Sequence, residues 1–491
     1  DHGRYGASPD VLFHSPLFLI FFALVFAGTR APLPWRGKKA LLLLASYLFY
    51  AAWNPPFVAL IWLSTAVDWL AARALGRAEG GRRKALLGVS LCLNLGLLAG
   101  FKYANFLGES FAALSGLPYE AYSIVLPVGI SFYTFQTLSY TIDVYRGRIE
   151  PARDPLDFAL FVSFFPQLVA GPIVRASEFL PQTLQEQRAS GRELCWAGAL
   201  FTLGLFKKVF LADGILAGLV QRGFESGGPV SGAQAWTSSY AFAGQIYCDF
   251  SGYSDMAIAL ALALGFALPD NFRAPYGALG FSDFWRRWHI SLSSWLRDYL
   301  YVPLGGNRKG PVRTAINLAL TMLLGGLWHG AAWTFVAWGA LHGLYLAGER
   351  ALRTRPLWTR IQESLVGRLA LGLLTFHGVC LAWVLFRAES FPRALEFFRA
   401  MVGGAPPEGE FVLGRFEAAL GLAVVAGIVG VHTWSRERSL AGGWARASAE
   451  GWVSACLERC GAWPLVLGLA FMIGCVVAGG GGNAEFIYFQ F

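Results

Sequence analysis

The segment Leu323-Leu324-Gly325-Gly326-Leu327-Trp328-His329-Gly330-Ala331-Ala332-Trp333 places one imidazole among glycines and tryptophans in the middle of a long apolar stretch. Basic residues flank this stretch at Arg313 and Arg350. Each arm between His329 and its basic flank holds about 16 to 20 residues, roughly 25–30 Å of helix at about 1.5 Å per residue. We therefore predict a hairpin of two apolar helices, with His329 at its turn and deep in a bilayer.

The whole chain has the composition of a membrane protein. Of its 491 residues, 55% are hydrophobic and 14% are charged, and the mean hydropathy is +0.47. Soluble domains carry about 25% charged residues, so this composition excludes a soluble globular protein, a disordered chain and a coiled coil. We predict an all-α polytopic membrane protein with about ten to twelve spans and additional short or re-entrant helices.

The charge of the chain indicates membrane orientation. Lysine and arginine number 40 against 31 aspartate and glutamate, a formal net charge of +9. The cations cluster in short loops between apolar runs, Lys38 and Lys39 among them. Loops of this kind face the cytoplasm in membrane proteins, which explains the excess of cations better than nucleic acid binding does. Both chain termini then lie outside. Residues 1–10 are interpreted as a polar leader, and residues 11–491 as one transmembrane domain.

The sequence contains few recognisable ligand motifs. Its seven cysteines are scattered, without a CxxC pair or a Cys/His cluster, so neither a metal site nor a disulfide framework is expected. No P-loop, GxGxxG fingerprint or GxSxG elbow is present.

Residues 270–313 interrupt the apolar pattern and are predicted to form a cytoplasmic interfacial region. Residues 281–299 mix aromatic and basic side chains at helical spacing, which is typical of one amphipathic helix at the membrane surface. The cations of this region could bind the phosphates of a cofactor such as coenzyme A, or they could serve only orientation and lipid contact. They are Arg286, Arg287, Arg297, Arg308, Lys309 and Arg313.

A second polar cluster covers residues 247–255. Ser254 and Asp255 are good N-cap residues for a helix starting at Met256. Asp249 lies farther inside the apolar run, where it could orient a histidine or bind a polar substrate. Farther upstream, Pro166 and Pro172 predict a broken helix of re-entrant type.

Histidine is the commonest general base, since it titrates near neutrality. His329 is the first candidate for this role, although a core histidine bonded to a carbonyl would look the same in sequence. His289 is the second candidate and could instead be an interfacial residue, while His342 could be a partner or a packing residue. His377 and His432 lie in plain apolar runs and are interpreted as packing residues.

Several stretches together resemble the membrane-bound O-acyltransferase (MBOAT) family, and within it the branch that O-acetylates exported bacterial polysaccharides such as alginate. The blocks Trp-Arg-Arg-Trp-His (285–289) and Leu-Trp-His-Gly (327–330) are the most specific. The stretches that carry the resemblance are residues 126–136, 165–172, 249–255, 284–306, 325–343 and 486–491.

This resemblance implies a helical bundle around a central tunnel, with His329 as the intramembrane catalytic histidine and His289 as a second catalytic residue. It implies acetyl-coenzyme A as a cytoplasmic donor, no permanently bound cofactor, and a location in the bacterial inner membrane with periplasmic termini. The expected partners are a periplasmic SGNH-type acetyltransferase, other polysaccharide-secretion components and membrane lipids. Candidates for lining the tunnel are Asp249, Ser251, Trp328, Trp285, Gln136 and His342; candidates for contacting the donor are Arg286, Arg287, Arg308 and Lys309.

Other functions remain open at this point. A D-alanyl transfer protein of the teichoic acid type is the alternative within the family. A transporter or flippase of lipid-linked sugar could use His329 and Asp249 as a proton relay, and a scaffold would need neither.

Overall fold

The computed structural model describes residues 13–226, 228–404, 413–438, 463–479 and Ile487. These residues form helices and no strand. The polar leader 1–10, and all of the aromatic tail 486–491 except Ile487, lie outside the described residues. The described part of the chain divides into two compact units: residues 13–201 with 253–269, and residues 202–252 with 270–438, 463–479 and Ile487.

The helices follow one another with short connections. The first twelve are α1 (Pro16–Arg30), α2 (Trp35–Ala51), α3 (Val58–Leu75), α4 (Gly80–Leu98), α5 (Ala104–Ser115), α6 (Ile130–Tyr145), α7 (Pro155–Ser163), α8 (Phe165–Leu168), α9 (Ala176–Thr183), α10 (Gly191–Leu205), α11 (Ala217–Glu225) and α12 (Gly232–Ala263). The remaining nine are α13 (Phe281–Arg287), α14 (Ile290–Leu296), α15 (Gly310–His329), α16 (Trp333–Arg353), α17 (Pro356–Glu363), α18 (Leu365–Arg387), α19 (Phe391–Met401), α20 (Arg415–Arg438) and α21 (Trp463–Gly479). Short 3-10 or π-helical turns extend several of them, the longest being the π-helix Phe206–Leu216.

Four helical segments are long and apolar enough to cross a membrane, judged by length and composition within the described residues. They are Pro55–Leu75, Gly80–Ser115, Leu365–Arg387 and Arg415–Arg436, and Pro16–Arg30 and Val466–Ala478 are shorter apolar helices. The larger span number and the central tunnel stay predictions.

The first unit is held together by polar contacts between its helices. The Asp68 carboxylate on α3 is fully buried and accepts hydrogen bonds from Ser90 and Asn94 on α4 and from Thr141 on α6. Lys38 and Lys39 on α2 are also buried, and they pair with Glu186 and Asp157. The sequence placed these two lysines in a loop, and this expectation is wrong, because both lie on a helix and form internal ion pairs.

The predicted helical hairpin is confirmed in the second unit. α15 ends at His329, three residues form the turn, and α16 begins at Trp333. Glycines permit the close approach of the two helices: a Cβ on Gly339 would clash with the carbonyl oxygen of Met322, and one on Gly326 with that of Phe335. Small residues at such positions allow direct contact between helix backbones.

Two expectations about helix boundaries are wrong. Ser254 and Asp255 do not cap a helix, because α12 runs without interruption through both of them. No proline interrupts this stretch, and Gly252 lets it lie against a neighbouring backbone, where a Cβ would be 2.7 Å from the carbonyl oxygen of Gly204. In contrast, the break predicted by Pro166 is confirmed, since α7 ends at Ser163 and the short α8 follows.

The other wrong expectation is the single amphipathic helix over residues 281–299. The structure has two short helices, α13 and α14, separated at Trp288 and His289. His289 adopts a left-handed backbone conformation with φ of 43°, which is uncommon for a residue other than glycine. Contacts from a distant residue, described below, hold the chain in this conformation.

Candidate active site

His329 lies at the carboxyl end of α15 and is surrounded by aromatic rings. Its side chain is buried, with 4% of its surface exposed. The ring centroids of Trp328, Trp338 and Phe386 lie 5.0, 5.1 and 5.5 Å from that of His329. His329 is the last residue of α15 because Gly330 adopts an extended conformation and ends the helix there. The turn of the hairpin follows directly.

His289 lies beside His329. The centroids of the two imidazole rings are 6.3 Å apart, and His289 is fully buried. Phe250 on α12 packs edge-on against its ring at 4.7 Å, and Trp328 lies at 6.0 Å. Two of the predicted residues, far apart in the chain, are thus brought together with Trp328.

Asn271 holds His289 in place. Its side-chain oxygen lies 3.1 Å from His289 Nδ1 and accepts hydrogen bonds from the Ser291 backbone N–H and hydroxyl. The Asn271 backbone carbonyl accepts from the N–H of Ile290. Asn271 therefore satisfies N–H groups that the start of α14 leaves unpaired, and this capping explains the break in the predicted helix.

His342 belongs to the same aromatic cluster. It is fully buried on α16, and the indole N–H of Trp285 donates to its Nδ1 at 3.2 Å. Trp338 bridges the two histidines of the hairpin, since its ring centroid is 5.1 Å from that of His329 and 4.9 Å from that of His342. Trp285 and Trp338 also contact each other at 5.7 Å. Because these side chains are buried, electrostatic interactions among them are stronger than in water.

A cavity of about 350 Å³ opens beside this cluster. Trp285 forms part of its wall together with two arginines, Arg286 and Arg297, and a group of serine and threonine hydroxyls. The hydrogen bonds to Asp298 raise the pKa of Arg297. The full lining is Ser282, Trp285, Arg286, Ile290, Ser293, Ser294, Leu296, Arg297, Tyr301, Leu318, Thr321, Met322 and Leu346.

The predicted donor-binding cations divide into three groups. Arg286 is exposed on the cavity wall. Arg287 is half-buried and pairs with Asp283 at 2.9 Å, while also donating to the carbonyl of Arg273. Arg308 and Lys309 lie in the exposed loop before α15 and do not line this cavity.

Asp249 and Ser251 are both buried on α12, but Asp249 has a partner that the sequence did not indicate. The ammonium group of Lys208 lies 2.6 Å from Asp249 and 2.9 Å from Asp213, and all three side chains are at most 2% exposed. The other oxygen of Asp249 accepts from the backbone N–H of Ile487. Asp249 is thus part of an internal ion-pair cluster that also accepts a hydrogen bond from Ile487.

Gln136 lies in the first compact unit. Its side chain is 1% exposed on α6, and neither polar atom of its carboxamide has a hydrogen-bond partner among the residues that are described. His377 is bonded to its own helix through the Leu373 carbonyl, and His432 accepts from the backbone N–H of Tyr276.

Three residues of the site were missed by the sequence. Trp338 lies one helical turn before His342, and this i, i+4 spacing could have drawn attention to it. The sequence pattern does not indicate Asn271 or Lys208 as site residues, because each contacts a residue from a different segment of the chain. Only the folded structure brings Asn271 to His289 and Lys208 to Asp249.

Comparison with known proteins identifies the family. The family described as MBOAT, membrane-bound O-acyltransferase, matches residues 152–364. A probable alginate O-acetylase, AlgI, of Pseudomonas putida is 44% identical over 401 residues, which cover 80% of this chain and 80% of the relative. The chain belongs to the membrane-bound O-acyltransferase family.

Further relatives are similar to it as well. A peptidoglycan O-acetyltransferase of Helicobacter pylori is 39% identical over 428 residues, with 80% of both chains covered. A teichoic acid D-alanyltransferase of Streptococcus thermophilus is 29% identical over 295 residues, covering 53% of this chain and 68% of that protein. The resemblance recognised from the sequence, the all-α membrane fold and the O-acyltransferase activity are confirmed.

Proposed function

We propose that this membrane-bound O-acyltransferase takes acetyl from cytoplasmic acetyl-coenzyme A and passes it across the bacterial inner membrane for O-acetylation of an exported polysaccharide of the alginate type. The observation that carries the proposal is the pair His289 and His329, whose rings lie 6.3 Å apart in a buried aromatic cluster. The relatives named for O-acetylation of alginate and of peptidoglycan support acetyl as the acyl group and a polysaccharide as its destination.

His329 acts as the general base. It removes the proton of an incoming hydroxyl group, and the oxygen attacks the acetyl carbonyl carbon. The C–S bond of the thioester breaks, the acetyl group stays on the new ester oxygen, and coenzyme A leaves as its thiol after taking up the proton. The low dielectric of the aromatic cluster strengthens every hydrogen bond made to the developing oxyanion.

The cavity suits the donor. Its apolar wall, with Trp285 and Met322, can cover the pantetheine arm, while the exposed guanidinium groups of Arg286 and Arg297 can pair with phosphates. Charge-assisted hydrogen bonds of this kind fix an anionic group without burying it. In this arrangement the charged part of the cofactor stays at the membrane surface and only the thioester approaches the histidines.

The acceptor on the far side is a partner protein or the polymer itself. We propose a periplasmic SGNH-type acetyltransferase as that partner, because the second half of the reaction requires a hydroxyl nucleophile outside the membrane. The distribution of basic residues among the loops supports an orientation with both termini in the periplasm. The relatives named as alginate O-acetylases support membership of a polysaccharide-modification system.

Purified protein in proteoliposomes, supplied with acetyl-labelled coenzyme A and the periplasmic partner, tests the proposal. We expect the label on the partner or on the polysaccharide, and no transfer from a D-alanyl carrier protein. Transfer of D-alanine instead of acetyl would replace the proposal by the teichoic acid type of activity. Mass spectrometry of the polymer then identifies the acetylated sugar.

A further inference from the structure

The hydrogen bonds around His289 determine which of its two nitrogens carries a proton. Three groups converge on one atom, the side-chain oxygen of Asn271: the Ser291 backbone N–H at 3.3 Å, the Ser291 hydroxyl at 2.9 Å and His289 Nδ1 at 3.1 Å. A backbone N–H can only donate, so the Asn271 atom that faces it must be the carbonyl oxygen and not the amide nitrogen. This fixes the orientation of the carboxamide.

A carbonyl oxygen has no proton to give, so the Nδ1 atom of His289 must carry the hydrogen of that contact. His289 is fully buried against Phe250 and Trp328, which favours the uncharged ring. In an uncharged ring with a proton on Nδ1, the Nε2 atom carries the lone pair. Its role is then to accept a hydrogen bond or a proton.

We propose that Asn271 is a positioning residue that holds His289 as the Nδ1–H tautomer, so that its Nε2 accepts the hydrogen bond of the incoming hydroxyl group until His329 takes that proton. The inference rests on the proposed function and deepens it. It excludes His289 as the donor to the oxyanion, which is the other role that its position beside His329 would allow.

The distance between the two histidines fits a shared acceptor hydroxyl. Two hydrogen bonds of about 2.8 Å each, added to the distance from each ring nitrogen to its centroid, span at most about 8 Å. The observed 6.3 Å lies within this limit. One hydroxyl oxygen can therefore lie within reach of both rings. Its single proton is bonded to one ring at a time, first to His289 Nε2 as the hydroxyl enters and then to His329 in the attack.

His342 shows the opposite arrangement and serves as an internal comparison. The indole N–H of Trp285 can only donate, so Nδ1 of His342 is an acceptor and the proton of its uncharged ring lies on Nε2. The same protein thus holds two buried histidines as opposite tautomers. Their ¹⁵N spectra must differ if both assignments are correct.

The first test is ¹⁵N NMR of histidine-labelled protein in detergent, with His289 and His342 assigned by substitution. We expect a protonated Nδ1 for His289 and a protonated Nε2 for His342. In Asn271→Ala we expect His289 to lose the Nδ1–H preference and kcat to fall about 10- to 100-fold, with KM changed less than about threefold, since proton transfer by a well-placed group contributes about 10²- to 10⁴-fold. Asn271→Asp keeps the acceptor and should restore most of the rate.

Asn317→Ala is the matched control, because it removes another fully buried carboxamide of the second compact unit, one that donates to the carbonyl of Gly306. A similar loss of kcat in Asn317→Ala, with the His289 tautomer unchanged, would mean that Asn271 acts through packing and would overturn the inference. A protonated Nε2 in wild-type His289 would overturn it as well. Failure of the proposed function would give a different result: acetyl transfer itself would be absent, or it would not need His329.

Discussion

The ring centroids of His289 and His329 lie 6.3 Å apart with their planes inclined at 60°. His289 lies at a break between two short helices, and His329 at the end of a long one. Each ring is held by a different part of the second compact unit: His289 by Asn271, and His329 by the aromatic rings of α16 and α18. The geometry of the candidate site therefore depends on how tightly these segments pack, and substitutions outside the site should alter it.

The close contact of α15 and α16 should be sensitive to a single methyl group. Gly339→Ala places a Cβ against the Met322 carbonyl oxygen, and we expect a loss of about 1–3 kcal/mol in the free energy of unfolding, typical of overpacking. Acetyl transfer should fall with it, because the hairpin carries His329. Thermal unfolding in detergent measures the effect.

Gly348→Ala is the control on the same helix, since a Cβ there meets nothing within 4 Å. It should leave stability unchanged or slightly higher, as alanine is the better helix former. Equal unfolding temperatures for the two variants would contradict the assigned contact.

Lys208 should be essential for stability rather than for chemistry. Lys208→Met leaves Asp213 and Asp249 buried without their shared ammonium group, and removal of one partner from a buried ion pair costs about 3–5 kcal/mol. Adding Asp249→Asn to Lys208→Met should recover part of this loss, because one uncompensated carboxylate disappears. A double variant no more stable than Lys208→Met would argue against the cluster. Expression level and thermal unfolding report the outcome.

The cavity arginines should affect binding of the donor more than its reaction. Arg286→Ala and Arg297→Ala should each raise KM for acetyl-coenzyme A about tenfold while kcat changes less than about twofold, since a hydrogen bond to a charged group contributes about 1.5–3 kcal/mol. Arg308→Ala is the comparison, because that residue is exposed but does not line the cavity. Steady-state kinetics at varied donor concentration distinguish the three. An unchanged KM in both cavity variants would mean that these arginines do not bind the donor and serve only the orientation of the protein in the membrane.

The hydrogen bond from Trp285 to His342 can be removed without removing the aromatic ring. Trp285→Phe should lower stability by about 1 kcal/mol and let the His342 proton move between its two nitrogens. Trp236→Phe removes a comparable indole hydrogen bond, to the Met401 carbonyl, and should cost similar stability without changing His342. Identical ¹⁵N signals of His342 in wild type and Trp285→Phe would rule out the assigned bond.

The sequence predicted those features that depend on local pattern. Two apolar arms with basic ends and a Gly-Trp-rich centre correctly indicated the hairpin around His329, and Pro166 correctly indicated the end of α7. The family could be recognised because its most specific blocks are short and contiguous.

Features that depend on distant contacts could not be predicted. The pattern of residues 281–299 is helical at every position, yet Asn271 replaces the helical hydrogen bonds at Ile290 and Ser291 and breaks the helix at His289. Asp249 looked like a site residue because an intramembrane carboxylate usually has a function. Its partner Lys208 lies on another helix, where sequence spacing gives no indication of the contact.

The central claim is that one imidazole, His329, performs the acyl transfer. Its most direct test compares His329→Ala with His377→Ala in the transfer of labelled acetyl from acetyl-coenzyme A, using protein of equal thermal stability. His377 is a fair control because it is a partly buried histidine of the same compact unit that bonds to its own helix. We predict that transfer falls at least about 100-fold in His329→Ala and is unchanged in His377→Ala. Equal rates in the two variants would contradict the account.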